Sequence, residues 1–270
     1  MKKNKKIKEM LKNASNETNK SSITVYFILR FLVILCMILQ FIRGDWNNAF
    51  LCLLSLILFI APFFIQNKFK IDLPNTLEVI ILLFIFSAEI LGEINNFYGV
   101  IPFWDTLLHT LNGFLAAGVG FALFDLLNKN TKSVNLSPIF LSIVAFCFSM
   151  TIGILWEFFE FSFDRYLKTD MQKDRIVDNI SSVRINPNGE NIPIRVKDIE
   201  YTIIYNKDAF GNLQETKIDN GYLDLGIIDT MKDLYVNFIG AACFSIFGYL
   251  YIINRDKYNF VNHFIPSRKE

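Results

Sequence analysis

Asp105 and His109 stand four residues apart in an otherwise largely apolar run, WDTLLHTLNG, and Asn112 follows three residues later. Glu157, Glu160 and Asp164 repeat the pattern at spacings of three and four, and Asp229, Asp233 and Asn237 at four and four. Glu89 and Glu93 form a shorter pair. On a helix these spacings put each set on one face. Carboxylates crowded in a medium of low dielectric repel one another, so such a set shares protons, pairs with cations or binds a metal ion. Oxygen donors suit hard divalent ions such as Mg, Ca or Mn. Glu157, Glu160, Asp229 and Asp233 are therefore candidate ligands for a divalent metal ion. His109, oriented by Asp105, is a candidate general acid/base, and the two form the candidate catalytic pair. A single in-span His excludes a three-His zinc site, although one His with carboxylates could hold zinc or manganese. There is no GxSxG and no phosphate-binding loop. Polar residues near helix ends also serve as interhelical glue, and that plainer role suits Glu93, Asp164 and Asp229 better. His263 reads as an ordinary surface residue.

The elements that must position these residues are membrane helices. Of 270 residues 52% are hydrophobic, and 28 are Phe, more than a soluble domain of this size carries. A spanning helix needs about 20 mostly apolar residues. Six stretches qualify: Thr24 to Phe41, Asn48 to Ile65, Leu77 to Leu91, Pro102 to Leu127, Pro138 to Phe163, and Leu234 to Asn254. The expected fold is thus an all-α polytopic membrane protein with six transmembrane helices. The third stretch is the shortest and carries two Glu. The net charge of +1 gives no reason to expect nucleic acid as a partner; the expected partner is the lipid bilayer. Cys36, Cys52, Cys147 and Cys243 all lie in apolar runs without a CxxC pair, which argues against a disulfide framework or a cysteine zinc site. Arg30, Glu78 and Asp125 lie toward the opposite ends of spans one, three and four, where an ion pair of Arg30 with Glu78 or Asp125 is the simple expectation.

Lys and Arg bias sets orientation. The tail at residues 1–23 is lysine-rich, Lys68 and Lys70 follow span two, Lys129 and Lys132 follow span four, and Arg255, Lys257, Arg268 and Lys269 follow span six. The intervening loops are nearly free of such residues. Both termini are therefore expected in the cytoplasm of a bacterial plasma-membrane protein, the first span being a retained helix rather than a cleaved signal. Trp46, Trp104 and Trp156 then fall at the outer interface, and all four polar stripes lie at the outward ends of their helices. Four stripes at one depth point to a shared pocket that opens outward.

The implied organisation is a basic cytoplasmic tail at 1–23, five spans within 24–163, an insertion at 164–230, the last span at 231–254 and a cytoplasmic tail at 255–270. The insertion contains SSVRI-NPNGEN-IPIRV and IEYTIIY-NKDAFGN-LQETKI, each two β-prone runs around a turn signal. It reads as a small β-rich module outside the membrane. No internal repeat suggests an inverted-repeat transporter.

Three motifs carry a resemblance. WDTLLHTLNG at Trp104 to Gly113, LWEFFEF at Leu155 to Phe161 and DTMKDLYVNFIGA at Asp229 to Ala241 resemble, in this order, the YjdF type of uncharacterised bacterial membrane protein. Asp105, His109, Gly113, Glu157, Glu160, Asp229, Thr230, Asp233, Gly240 and Ala241 sit on the positions of that likeness, which covers spans three to six. The last motif is also distantly similar to VanZ-type glycopeptide-tolerance membrane proteins. The resemblance implies a six-helix membrane fold and no established activity, and the long insertion before Asp229 departs from it. Three readings of function follow: a metal-dependent membrane-embedded enzyme acting on a lipid or envelope component, an ion-coupled transporter, and a non-catalytic scaffold that binds partners through the β module.

Overall fold

The computed structural model describes residues 2–130 and 136–268, with side chains described over 22–68, 70–125 and 136–268. The amino-terminal lysine side chains, together with Lys129, Lys132 and Lys269, lie outside the described residues. In chain order the helices are α1 (Lys2–Arg43), α2 (Trp46–Leu58), α3 (Ala61–Phe69), α4 (Asn75–Ile85), α5 (Phe97–Val100), α6 (Trp104–Asn130), α7 (Pro138–Leu167) and α8 (Ile227–Ile253). A π-helical segment, Phe86–Ile94, continues α4, and a 3₁₀ segment, Asn259–Phe264, follows α8.

Five helical stretches among the described residues are long and apolar enough to cross a bilayer: Ser22–Arg43, Trp46–Lys68, Trp104–Asp125, Pro138–Leu167 and Ile227–Ile253. The third of the six expected spans is not among them. Its α-helical part is only 11 residues, and the continuation is wound as a π-helix that contains Glu89 and Glu93. The second span is divided into α2 and α3 near Pro62, whose missing N–H favours the first turn of a new helix over the interior of an old one.

The chain forms two units, whose boundaries fall inside α7 and α8: one holds the residues up to Gly153 and from Val236 onward, the other Ile154–Tyr235. In the first unit, α1 and α2 form a helical hairpin about Gly44, which has φ +75°. Asp45 caps α2 by accepting from the Asn48 backbone N–H at 3.0 Å. Leu29, Val33, Cys52, Phe59, Leu82 and Ile90 make one buried cluster. A second joins α6, α7, α8 and the carboxyl-terminal segment through Ala117, Phe121, Leu141, Ala145, Ala241, Phe244, Tyr251 and Val261. Phe264 stands edge-on to Phe114 at 5.2 Å between ring centres. Two-residue strands β1 (Ile71–Asp72) and β8 (Ser267–Arg268) pair antiparallel.

The expected pairing of Arg30 does not form. Arg30 donates to the Tyr26 hydroxyl one turn away and lies over that ring. Glu78 instead accepts from Ser22 Oγ at 3.0 Å, and Asp125 is paired with Arg255 at 3.1 Å. A long arginine stem on a helix reaches a tyrosine one turn away more cheaply than a carboxylate on another helix.

The second unit carries three two-stranded antiparallel sheets. β2 (Ile176–Val177) pairs with β7 (Tyr222–Leu223), β3 (Ile180–Ser182) with β4 (Ile194–Val196), and β5 (Tyr201–Lys207) with β6 (Leu213–Asp219). The last is a regular hairpin with seven residues in each strand. Asp208 closes its turn by accepting from the backbone N–H groups of Phe210 and Asn212, each at 2.9 Å. The first hairpin is shorter than the β-prone runs that mark it. Val183–Ile185 turns into 3₁₀ geometry, and Pro187 and Pro193 flank a loop where neither can donate to a ladder.

Candidate functional site: polar stripes on the membrane helices

Within the first unit, α6 begins at Trp104, whose indole N–H donates to the Ser87 carbonyl at 3.2 Å. One turn on, His109 Nε2 lies 3.4 Å from Asp105 Oδ1, and both side chains are half-buried. This is the orientation expected of a histidine held by a carboxylate. A turn further along α6, glycine lets the helices close. A β-carbon on Gly113 would strike the Asn237 carbonyl, and one on Gly240 the Thr110 carbonyl. Gly118 meets Phe244 and Gly248 meets Phe121, so α6 and α8 run parallel. Ser149 on α7 donates to the Gly113 carbonyl at 2.7 Å. Asn237 is 1% exposed; its side chain meets Asn112 at 3.4 Å and Met150 Sδ at 3.6 Å. A buried amide surrounded by small residues is the usual way for membrane helices to approach closely. Asn112, Gly113 and Gly240 were legible as parts of the stripes and motifs. Ser149 and Gly153, which complete the contact from α7, were not, because nothing in their spacing names a partner.

In the second unit the carboxylates separate into two kinds. Asp164 accepts from Thr169 Oγ1 and from the Met171 and Gln172 backbone N–H groups at 2.7 to 2.8 Å. It therefore holds the turn that leaves α7. Asp229 is buried and accepts from the Lys173 backbone N–H at 3.0 Å, while Arg175 lies 3.4 Å from its other oxygen. Asp224 accepts from the backbone N–H groups of Arg175, Gly226 and Ile228 and starts α8. Burial works against its ionised form, but these backbone donors outweigh burial and hold the carboxyl below its ordinary range.

Glu157, Glu160 and Asp233 are the other kind. They are 4%, 8% and 1% exposed, and they belong to helices of membrane-crossing length. Trp156 Nε1 donates to Glu160 at 2.8 Å, and Lys232 Nζ stands 3.8 Å from Asp233 Oδ1. Glu89 is half-buried and Glu93 exposed in the π-helical segment of the first unit.

A family model described as a predicted membrane protein (DUF2238) matches residues 23–182. The chain belongs to the DUF2238 family of predicted membrane proteins. The DUF2238 match includes Asp105, His109, Glu157 and Glu160 and ends before Asp229 and Asp233. An uncharacterised protein of Thermotoga maritima is 25% identical over 107 residues, which are 40% of this chain and 54% of the relative. The chain thus spans about half the length of that curated relative. No solved structure matches. The matches carry the coarser part of the resemblance read from the motifs, an uncharacterised family of multi-pass membrane proteins, and do not carry the YjdF or VanZ names.

Proposed function

We propose that this membrane protein is a metal-dependent enzyme acting on a lipid or another component of the cell envelope. In this reading Glu157, Glu160 and Asp233 hold a divalent cation, and His109 acts as general acid/base beside Asp105. One observation carries it: three carboxylates, each more than nine-tenths buried, on membrane helices. Ionisable groups there are costly and are retained for ion pathways, proton relays or ligand sites. Asp229, counted with the ligands from spacing alone, serves in this proposal to hold the segment at Lys173 and Arg175 through the contacts it already makes.

The topology proposed with it has six crossings, with both termini in the cytoplasm and the β module outside. Three contacts in the first unit support it: Ser22 with Glu78, β1 with β8, and Asp125 with Arg255. They bring the start of the apolar part of α1, the start of α4 and the ends of α3, α6 and α8 to one end. In this reading a chain that starts α4 and ends α6 at the same end crosses out and back, with α4 and its π-helical continuation as the sixth crossing.

Metal analysis of the purified protein tests the enzyme reading. A bound divalent ion that is lost in Glu157→Ala supports it. A metal-free protein whose stability is indifferent to chelator overturns it. The transporter alternative needs a polar path toward the cytoplasm, whereas Glu78 and Asp125 are already engaged by Ser22 and Arg255; flux in proteoliposomes would revive it. The scaffold alternative is favoured by the exposed Tyr205, Phe210 and Leu213 of the β5–β6 hairpin. Deleting Lys173 to Asp219 with full retention of biological activity would remove it.

A further inference from the structure

The β5–β6 hairpin has an edge, along β6, with which no other strand of the described residues pairs. The phase of the hairpin ladder follows from its two ends. The Asn220 N–H donates to the Glu200 carbonyl at 2.7 Å, and the Asp208 N–H to the Asn212 carbonyl at 3.0 Å. The register between them is unbroken, with Ile218 opposite Thr202, Thr216 opposite Ile204 and Gln214 opposite Asn206. Bonded and non-bonded positions alternate in an antiparallel pair, so these three residues of β6 direct their backbone groups to β5. The N–H and C=O groups of Leu213, Glu215, Lys217 and Asp219 therefore point the other way, along the free edge, and all four residues are exposed. Such an edge is a template for a further strand, and proteins commonly blunt it with proline, a bulge or lysine. β6 has no proline and no bulge. Its one lysine, Lys217, stands between Glu215 and Asp219 on the same face, so charge alternates along the edge.

We infer that this edge docks a second copy of the chain, β6 against β6 and antiparallel, about a two-fold axis at Thr216. The residues of the strand select both that partner and that register. With Thr216 opposite Thr216, Glu215 stands opposite Lys217 of the second copy, and Lys217 opposite Glu215 of the second copy. Leu213 and Asp219 meet at the ends. All of these except Thr216 carry outward-pointing backbone groups, so each of their pairs closes both of its N–H to carbonyl bonds. Opposite charges and threonine pairs across strands are favourable, and like charges directly opposite are not. Centring the axis on Lys217 opposes two lysines and sets Glu215 against Asp219; centring it on Glu215 opposes two glutamates. Centres nearer either end leave more than half of the strand unpaired. An axis between two residues opposes outward-pointing with inward-pointing backbone and closes no ladder. Exposed ion pairs add little by themselves; the ladder supplies the attraction, and the charges fix the register and the partner. The product is a four-stranded sheet, whereas two strands alone are marginal in water. The inference uses no residue of the metal proposal.

The test uses the full chain in density-matched detergent micelles, with the protein mass read by sedimentation equilibrium. The parent should be a dimer. Glu215→Lys and Lys217→Glu each place like charges opposite one another twice, by symmetry, and should raise the dimer dissociation constant by about tenfold or more. The double variant Glu215→Lys/Lys217→Glu restores both pairs with the signs exchanged and should recover most of the parent's affinity. Mild oxidation of Thr216→Cys should give a peptide that links position 216 of two chains, identified by mass spectrometry, which the four native cysteines cannot imitate. A monomeric parent overturns the inference, as does a dimer equally tight in both single variants. Linkage through Ile203→Cys with none through Thr216→Cys moves the contact to β5 and overturns the edge assignment.

Discussion

Gly113 lies against the main-chain carbonyl of Asn237 with no space for a β-carbon between them. The contact is reciprocated one turn away, where Gly240 lies against the Thr110 carbonyl. Lipid chains are as apolar as leucine, so membrane helices gain little from burying large side chains against one another; close backbone approach and interhelical hydrogen bonds take over. The α6–α8 seam is built in that way, with Ser149 of α7 sealing the Gly113 carbonyl.

Gly113→Ala should therefore separate α6 from α8. The clash is with backbone, which cannot rotate aside, so a loss of about 1–3 kcal/mol is expected, the range for overpacking a tight core. Gly240→Ala should behave alike, since its obstacle is also a carbonyl. Leu107→Ala, at an exposed position of the same helix, should cost less. Unfolding of the purified protein in mixed detergent micelles measures all three. Equal stability of Gly113→Ala and the parent would show that the seam is looser than described.

The side-chain contact between Asn112 and Asn237 should be worth less than the backbone approach. At 3.4 Å it is a long hydrogen bond, and interhelical pairs in membranes average about 0.6 kcal/mol in double-mutant cycles. A cycle built on Asn112→Ala and Asn237→Ala should return a coupling of that order. Asn237→Ala alone should cost more than the coupling, because its amide also fills the space beside Gly153 and Met150.

Asp224 gives the start of α8 a pH dependence. Its carboxyl is held below the ordinary range in the folded chain, so the stability it contributes is present above the unfolded value, about pH 3.9. That stability is lost as pH falls through the lower folded value. Amide exchange at Arg175, Gly226 and Ile228, whose N–H groups it accepts, should quicken below about pH 4 beyond the intrinsic trend. Asp224→Asn should remove most of that acid dependence; an unchanged profile in the variant would assign it to another group.

What the sequence displayed and what it hid divide along physical lines. Apolar runs of bilayer length and polar residues at helical spacing are local patterns, and five of the six expected runs are helices long enough to cross. Turn residues marked both β hairpins, whereas the break between α2 and α3 near Pro62 falls inside the stretch expected as one span, Asn48 to Ile65. The π-helical winding of Phe86–Ile94 was hidden because it is a choice of backbone hydrogen-bond partner made by tertiary packing. Spacing could not separate Asp229 from Asp233 either. They share a helical face, and only a backbone N–H 56 residues away, at Lys173, distinguishes them.

That division within one stripe leads to the sharpest test of the metal proposal. If Glu157, Glu160 and Asp233 are ligands, a divalent ion binds the folded chain and not the unfolded one. Mn or Mg at about one hundred times its dissociation constant should then stabilise the protein by roughly 2.7 kcal/mol. Glu157→Gln and Asp233→Asn should each abolish most of that ion-dependent increment, whatever they do to stability without the ion. Asp229→Asn should keep the increment, because its oxygens serve Lys173 and Arg175, while loosening the segment that it holds. His109→Gln should also keep the increment, since the proposal gives His109 a proton-transfer role, and should lose turnover once a substrate is known. The comparison is internal, each variant with and without the ion, so a generally weakened fold does not mimic it. An increment that survives in Glu157→Gln and Asp233→Asn would place the ion elsewhere, and its absence from the parent protein would remove the metal from the mechanism.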